Sequence, residues 1–534
     1  MCLSTSGFFL SSTHQAQGAN YQYISTENYN WWGRQKASDW SGTPWDGLPA
    51  PNGPTGSDNL DLNTAIALKV TGDLSVDVPG SFTASINNIT VTEFEGLAQL
   101  SSRNNWVSTL NVLGNITLNE NRMLRLYNVN TLSSLTVNVD GNITIGTGGT
   151  LMLGALATGD TAVSTSNNKL TGIAVAGKTT VSGTLLNSSA NLVDVTSIFL
   201  GDLELKKSES QSGSLTIATV GEDSTAAGSP INKISIRSLS GEGNLYGTNI
   251  KTNETRNATL NIQTEIDSNA VFSGTLVDSQ VVTTGTNRLH ITISGTGQQT
   301  FSGANTYTGQ TLISSGKLLV NGTHIQATAG VGASASTGLY QVQEGGILGG
   351  NGRIKGNITS DNANLIYVES GGILAPGKAD QLGALIIDGG LMTSTSNVSP
   401  LQMAEGAEFA FRLAGDGSDA DRLTFWNYTD TKSIKLNDNT IHMTLLGPLL
   451  EGTYTVTLFD FFSDDGITAT TSNLLSGLAI HAGLNISNAS LIYNANDISV
   501  QYTVIPEPSH LALFAWGFLA SIVFIRRFSK FSRM

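Results

Sequence analysis

The chain has 534 residues, a net charge of -14, only 13% charged residues, 59 glycines and a single cysteine. The acidity makes nucleic acid an unexpected partner. One cysteine, Cys2, excludes an intrachain disulfide and a cysteine metal cluster. The abundance of Thr, Ser, Asn, Val, Ile and Leu beside so much glycine predicts short strands joined by tight turns.

Taken in chain order, residues 1–18 ("MCLSTSGFFLSSTHQAQG") hold a thin apolar patch around Phe8, Phe9 and Leu10, with a small-residue stretch at Ala16-Gln17-Gly18. They read as the back half of a truncated signal peptide, or equally as an N-terminal tail. Residues 19–64 concentrate Trp31, Trp32, Trp40 and Trp45. Those rings could stack on sugars, but a cap on an open sheet end is the preferred reading.

From residue 65 to 394 apolar residues alternate with Thr, Asn and Ser, as in strands with one buried face. "GNIT" occurs at 114–117, 141–144 and 356–359. A spacing in the twenties between the first two units predicts the coils of a solenoid. The expected fold is all-β, a right-handed parallel β-helix (solenoid) with a C-terminal single transmembrane helix; an antiparallel meander sandwich is the competing architecture. Residues 395–503 are richer in aromatic residues ("EFAFRLAG", "TYTVTLFDFF") and are read as a C-terminal β region, either a compact end domain or the final coils.

The chain closes on "VIPEPSHLALFAWGFLASIVFIRRFSKFSRM" (504–534). Residues 509–525 carry no formal charge and sit at the short end of the length that spans a bilayer. Basic residues directly after the run predict a membrane span with its tail in the cytoplasm. Pro506 and Pro508 keep the preceding backbone extended, in a form a protease can engage.

Candidate chemical sites are few. The histidines His14, His290, His324, His442, His481 and His510 show no pair at metal-ligand spacing and are read as surface or turn residues. Asp416, Asp419 and Asp421 in "GDGSDADRL" are weak calcium candidates that lack the closing glutamate of an EF-hand. No other metal and no cofactor is expected, and the sparse, isolated charges of residues 65–200 give no carboxylate pair for acid and base roles.

Two stretches resemble known families. "ISGTGQQTFSGANTYTGQTLISSGKLLVNG" at 293–322 is similar to the autotransporter-associated β-strand repeat, through Asn305, Tyr307, Thr308, Gly309, Thr311, Gly316 and Leu318. That resemblance implies a β-helical, passenger-like surface protein without implying an enzyme. The chain does not end in the barrel strands of a true autotransporter. Ile-Pro-Glu-Pro-Ser, an apolar run and Arg-Arg resemble the PEP-CTERM sorting signal. The resemblance implies that Pro506, Glu507 and Pro508 are recognised by an exosortase and that Arg526 and Arg527 retain the tail until processing.

The expected function is that of an exported bacterial cell-surface or extracellular-matrix structural protein, adhesin-like and without enzyme activity. Extracellular polysaccharide is its expected surroundings. The alternative is a carbohydrate-active β-helix enzyme, a polysaccharide lyase or hydrolase, carrying the same tail.

Overall fold

The computed structural model describes residues 20–23, 30–31, 40–41, 59–62, 67–70, 81–92, 97–102, 107–127, 134–154, 170–188, 197–218, 233–248, 256–280, 287–325, 338–356, 364–389, 399–426, 434–437, 439–462, 478–483, 485–494 and 496–505. Residues 1–18, Trp32, Trp45, His14, His510, Pro506, Glu507, Pro508, the apolar run 509–525, Arg526 and Arg527 lie outside them. Among the described residues every regular element is a strand, and no helix is long and apolar enough to cross a membrane. The fold is all-β with long parallel sheets, consistent with a β-helix or solenoid.

Two compact units divide the chain: Met1–Leu260 with Ser279–Arg288, and Asn261–Asp278 with Leu289–Met534. In the first unit each coil contributes a strand to three parallel rows. One row contains Ser81–Ile86, Val107–Val112, Ser134–Val139, Gly172–Val175, Ser197–Phe199 and Lys233–Ile236. The second contains Asn59–Leu62, Asn88–Val91, Ile116–Leu118, Ile143–Ile145, Lys178–Val181, Asp202–Leu205 and Ser238–Gly241. The third contains Ala67–Val70, Leu97–Ser102, Met123–Tyr127, Thr150–Gly154, Thr184–Ser188, Ser214–Ala218 and Asn244–Thr248. Parallel pairing throughout these rows is incompatible with a meander sandwich, whose neighbouring strands run antiparallel.

Register follows the alternation in the sequence. Because side chains on a strand alternate between faces, stacking Ile89 on Ile116 on Ile143, and Val91 on Leu118 on Ile145, builds continuous apolar columns. All six side chains are fully or almost fully buried. One polar residue that enters a column, Thr179 opposite Ile143, is buried and its hydroxyl donates to the Leu200 carbonyl at 2.7 Å.

The Gly-Asn-Ile-Thr unit is a corner device. Asn88 Oδ1 accepts the Asn115 N–H at 2.7 Å, Asn115 Oδ1 the Asn142 N–H at 2.8 Å, and Asn142 Oδ1 the Lys178 N–H at 2.7 Å. Each asparagine thus ties its corner to the next coil. The glycine before it allows the close approach, since a Cβ on Gly141 would lie 2.4 Å from the Gly114 carbonyl oxygen. Asn115→Ala is expected to cost about 0.5–1.5 kcal/mol, one net hydrogen bond, and Gly141→Ala about 1–3 kcal/mol through a forced backbone shift; urea unfolding of the two variants checks this order. The third unit differs. Gly356 follows the strand Arg353–Lys355 rather than leading one, and residues 357–359 lie outside the described residues.

Corner lengths in the first unit are unequal. One to three residues separate the first row from the second, whereas four to seventeen separate the third row from the following strand of the first, up to Lys233–Ile236.

The second unit repeats the three-row plan. Thr311–Ile313, Gly338–Val342, Asn364–Val368 and Ser399–Met403 form one parallel row. Asn269–Phe272, Gln298–Phe301, Gly316–Val320, Gly346–Gly350, Ile373–Pro376, Glu408–Ala414, Thr440–Leu446 and Ala479–Ala482 form another. Ala304–Asn305, Thr323–Ile325, Arg353–Lys355, Ala384–Asp388, Arg422–Trp426 and Gly452–Phe462 form the third. Gly452–Phe462 then pairs antiparallel with Asp497–Val504, which pairs antiparallel with Ile486–Tyr493.

The region after residue 395 therefore continues the parallel rows and finishes in antiparallel strands. Its aromatic residues fill this end of the core. Phe459 packs edge-on against Phe409 and Phe411 at centroid distances of 5.2 and 5.3 Å, and Phe425 stacks on Phe461 at 5.3 Å. Tyr502 is buried and its hydroxyl donates to the Ala414 carbonyl at 2.9 Å.

Candidate functional site

The residues of 293–322 that drew notice in the sequence are joined by hydrogen bonds and packing. Asn305 Oδ1 accepts the Leu276 N–H at 3.0 Å. Thr308 donates its N–H to both oxygens of Asp278 at 3.0 Å and its hydroxyl to Oδ2 at 2.6 Å. Tyr307 points inward, is fully buried, and shares a 2.6 Å hydrogen bond with the Thr311 hydroxyl. Leu318 is likewise fully buried.

Against Tyr307 lies His324, stacked with ring centroids 4.1 Å apart. This residue corrects the expectation that the histidines occupy the surface or turns: His324 is completely buried. Its Nε2 is 2.8 Å from the Tyr307 carbonyl oxygen and its Nδ1 2.6 Å from the Tyr340 hydroxyl. A carbonyl can only accept, so Nε2 carries the hydrogen and Nδ1 accepts from Tyr340. Burial lowers the imidazole from its ordinary 6.5 to about 4, opposed by the hydrogen bond to Tyr307. The neutral ring is the stable form. Burial also pushes the Tyr307 phenol up to about 12 and that of Tyr340 well above its usual value.

The three aspartates of "GDGSDADRL" have separate surroundings. Asp421 is buried and its carboxylate accepts from Arg412 Nε at 2.6 Å, Arg412 Nη2 at 3.1 Å, the Arg412 N–H at 3.1 Å and the Gly383 N–H at 3.0 Å. Burial raises its carboxyl above the usual carboxylate range, against the downward pull of the guanidinium and the two amides. Asp416 instead accepts from the Ser418 N–H at 3.0 Å and hydroxyl at 2.6 Å. Asp419 accepts the Ala420 N–H at 2.9 Å and stands 3.9 Å from Arg422. Among the described residues no group of three or more His, Cys, Asp and Glu side chains is placed to hold a metal.

Calcium would have to displace Arg412 from Asp421. Adding Ca²⁺ is therefore expected to leave the melting temperature of the native protein unchanged, which calorimetry at millimolar Ca²⁺ and in EDTA checks.

Arg412 is among the residues whose role the sequence alone does not reveal. Its signal was an arginine among the inward and outward alternation of "EFAFRLAG", nine residues before Asp421. Asp388, the other buried carboxylate among the described residues, is likewise paired: Arg353 donates to it from Nε at 2.9 Å and from Nη2, and lies over the Trp426 ring at 4.6 Å.

A second histidine arrangement appears where parallel strands bring distant residues side by side. His442 and His481 are register partners on Thr440–Leu446 and Ala479–Ala482, with ring centroids 5.0 Å apart and planes inclined by 54°. Sequence spacing concealed this pair.

No protein-family model matches the chain. No curated protein matches it either.

Proposed function

We propose that the chain is an exported, non-enzymatic structural protein of a bacterial cell surface or extracellular matrix, adhesin-like, its rows wound as a right-handed parallel β-helix. In this reading residues 509–525 form a single transmembrane helix that holds the protein temporarily in the inner membrane. An exosortase recognises Pro506, Glu507 and Pro508 and releases or re-anchors the rest, with Arg526 and Arg527 retaining the tail until then.

The observation that carries the reading is how the parallel rows use polarity. Interior columns are largely apolar, corners are tied by asparagine, and the two buried carboxylates among the described residues, Asp388 and Asp421, are each engaged by an arginine. Such an arrangement serves rigidity and repetition. Weak contacts with extracellular polysaccharide, repeated along the outward Thr, Asn and Ser positions, would act together by multivalency.

Intact-mass measurement of the protein recovered from cells with and without the exosortase tests the proposal. Loss of the residues after the Pro-Glu-Pro segment only in the presence of that enzyme is the expected result. An identical, uncut mass in both strains would make the tail a permanent anchor and remove the sorting role. Turnover of an acidic polysaccharide by the purified protein would replace the structural reading with the enzymatic one.

A further inference from the structure

We propose that His442 and His481 form a two-imidazole site for a divalent transition-metal ion, with copper(II) the best-fitting occupant and nickel or zinc weaker ones. The juxtaposition follows from register. Outward positions of the strand Thr440–Leu446 alternate with the buried Ile441 and Met443, and His442 is one of them. Its partner across the parallel ladder is the exposed His481. On the other side its partner is Ala410, which leaves room beside the ring.

The ring geometry fits a shared ion. A metal-bound imidazole nitrogen sits about 2.0–2.1 Å from the ion with the ring centre about 1.1 Å behind it, so two rings on one tetrahedral or square-planar ion have centres roughly 4.5–5.2 Å apart. The observed centres are 5.0 Å apart.

Glu408, on the preceding outward position of the adjacent strand, brings Oε2 to 3.2 Å from His442 Nε2. That nitrogen is shielded from solvent, yet it has no properly aligned hydrogen-bond partner. A carboxylate beside a histidine ligand orients it from the outer shell. Two imidazoles are intermediate ligands that suit copper, nickel and zinc, and the Irving–Williams order favours copper(II) among them. Water completes the shell. No bond is made or broken in a substrate; binding displaces only protons and water.

The test uses the full chain in a Cys2→Ser background, so that the thiol neither binds nor reduces copper. After removal of metals with EDTA, Cu²⁺ is titrated calorimetrically and the bound form examined by electron paramagnetic resonance. The expected result is one equivalent with hyperfine structure from two imidazole nitrogens. His442→Asn and His481→Asn should each weaken binding at least about tenfold, and Glu408→Gln should weaken it by a similar factor while the two-nitrogen signature persists. Both histidines are partly or fully exposed, so the variants should keep the strand circular dichroism of the parent. A parent spectrum with one nitrogen or none, or binding unchanged in either histidine variant, overturns the proposal.

Discussion

Acidification from about pH 6.5 to about pH 4 is expected to remove roughly 3 kcal/mol of stability through His324 alone. The folded ring titrates at about 4 and the unfolded one at its ordinary 6.5, so across that window the unfolded chain binds a proton that the folded chain refuses. The contribution is fully present above about pH 6.5 and falls by about 1.4 kcal/mol per pH unit as pH drops toward the folded value. Protonation would place a charge inside a buried stack and turn Nδ1, which accepts from Tyr340, into a donor facing that hydroxyl. His324→Gln keeps a donor and an acceptor but cannot titrate. Urea unfolding of both proteins across this pH range, followed by hydrogen exchange in the segments around residues 307 and 340, reads the difference. The two curves should converge as pH falls; a constant offset between them would exclude His324 as the source.

Arg412→Met is expected to destabilise the protein by about 3–5 kcal/mol, the cost of leaving a buried carboxylate without its partner. Asp421 keeps its two backbone donors, yet these cannot supply a full countercharge. The guanidinium also donates to the Ala379 and Gln381 carbonyls, so its removal loosens the adjoining turn. A double variant, Arg412→Met with Asp421→Asn, should recover most of the loss, because the amide is neutral and can still accept from Gly383. Equilibrium unfolding of the two single variants and the double variant gives the coupling. If the double variant is no more stable than Arg412→Met, the cost lies in the turn and not in the buried charge.

What could be read from the residues was whatever depends on neighbours along the chain. Alternation from Ile116 to Leu118 and from Ile143 to Ile145 announces strands with one buried face, and the recurring Gly-Asn-Ile-Thr unit announces coils. What the asparagine does was hidden, because Asn115 Oδ1 acts on an amide in the next coil, 27 residues away. The same distance problem concealed His324. Its flanks, "NGT" and "IQA", look like a turn, whereas the partners that bury it, Tyr307 and Tyr340, are 17 and 16 residues away. His442 and His481 illustrate the point on the outer face. Arg412 and Asp421 stood near enough in sequence to be paired by inspection, had the acidic run not suggested a cation instead.

The unequal corners of the first unit have a consequence for how such a chain can change. Adding one residue between the first and second rows would move every following side chain to the opposite face until the register was restored. Between the third row and the next coil, lengths already range from four to seventeen residues while the columns on either side stay aligned. The unit thus combines a constant frame with an editable margin. Foreign loops grafted there, for example between Gly154 and Gly172, would be carried in a regular series by coils that need not adapt to them.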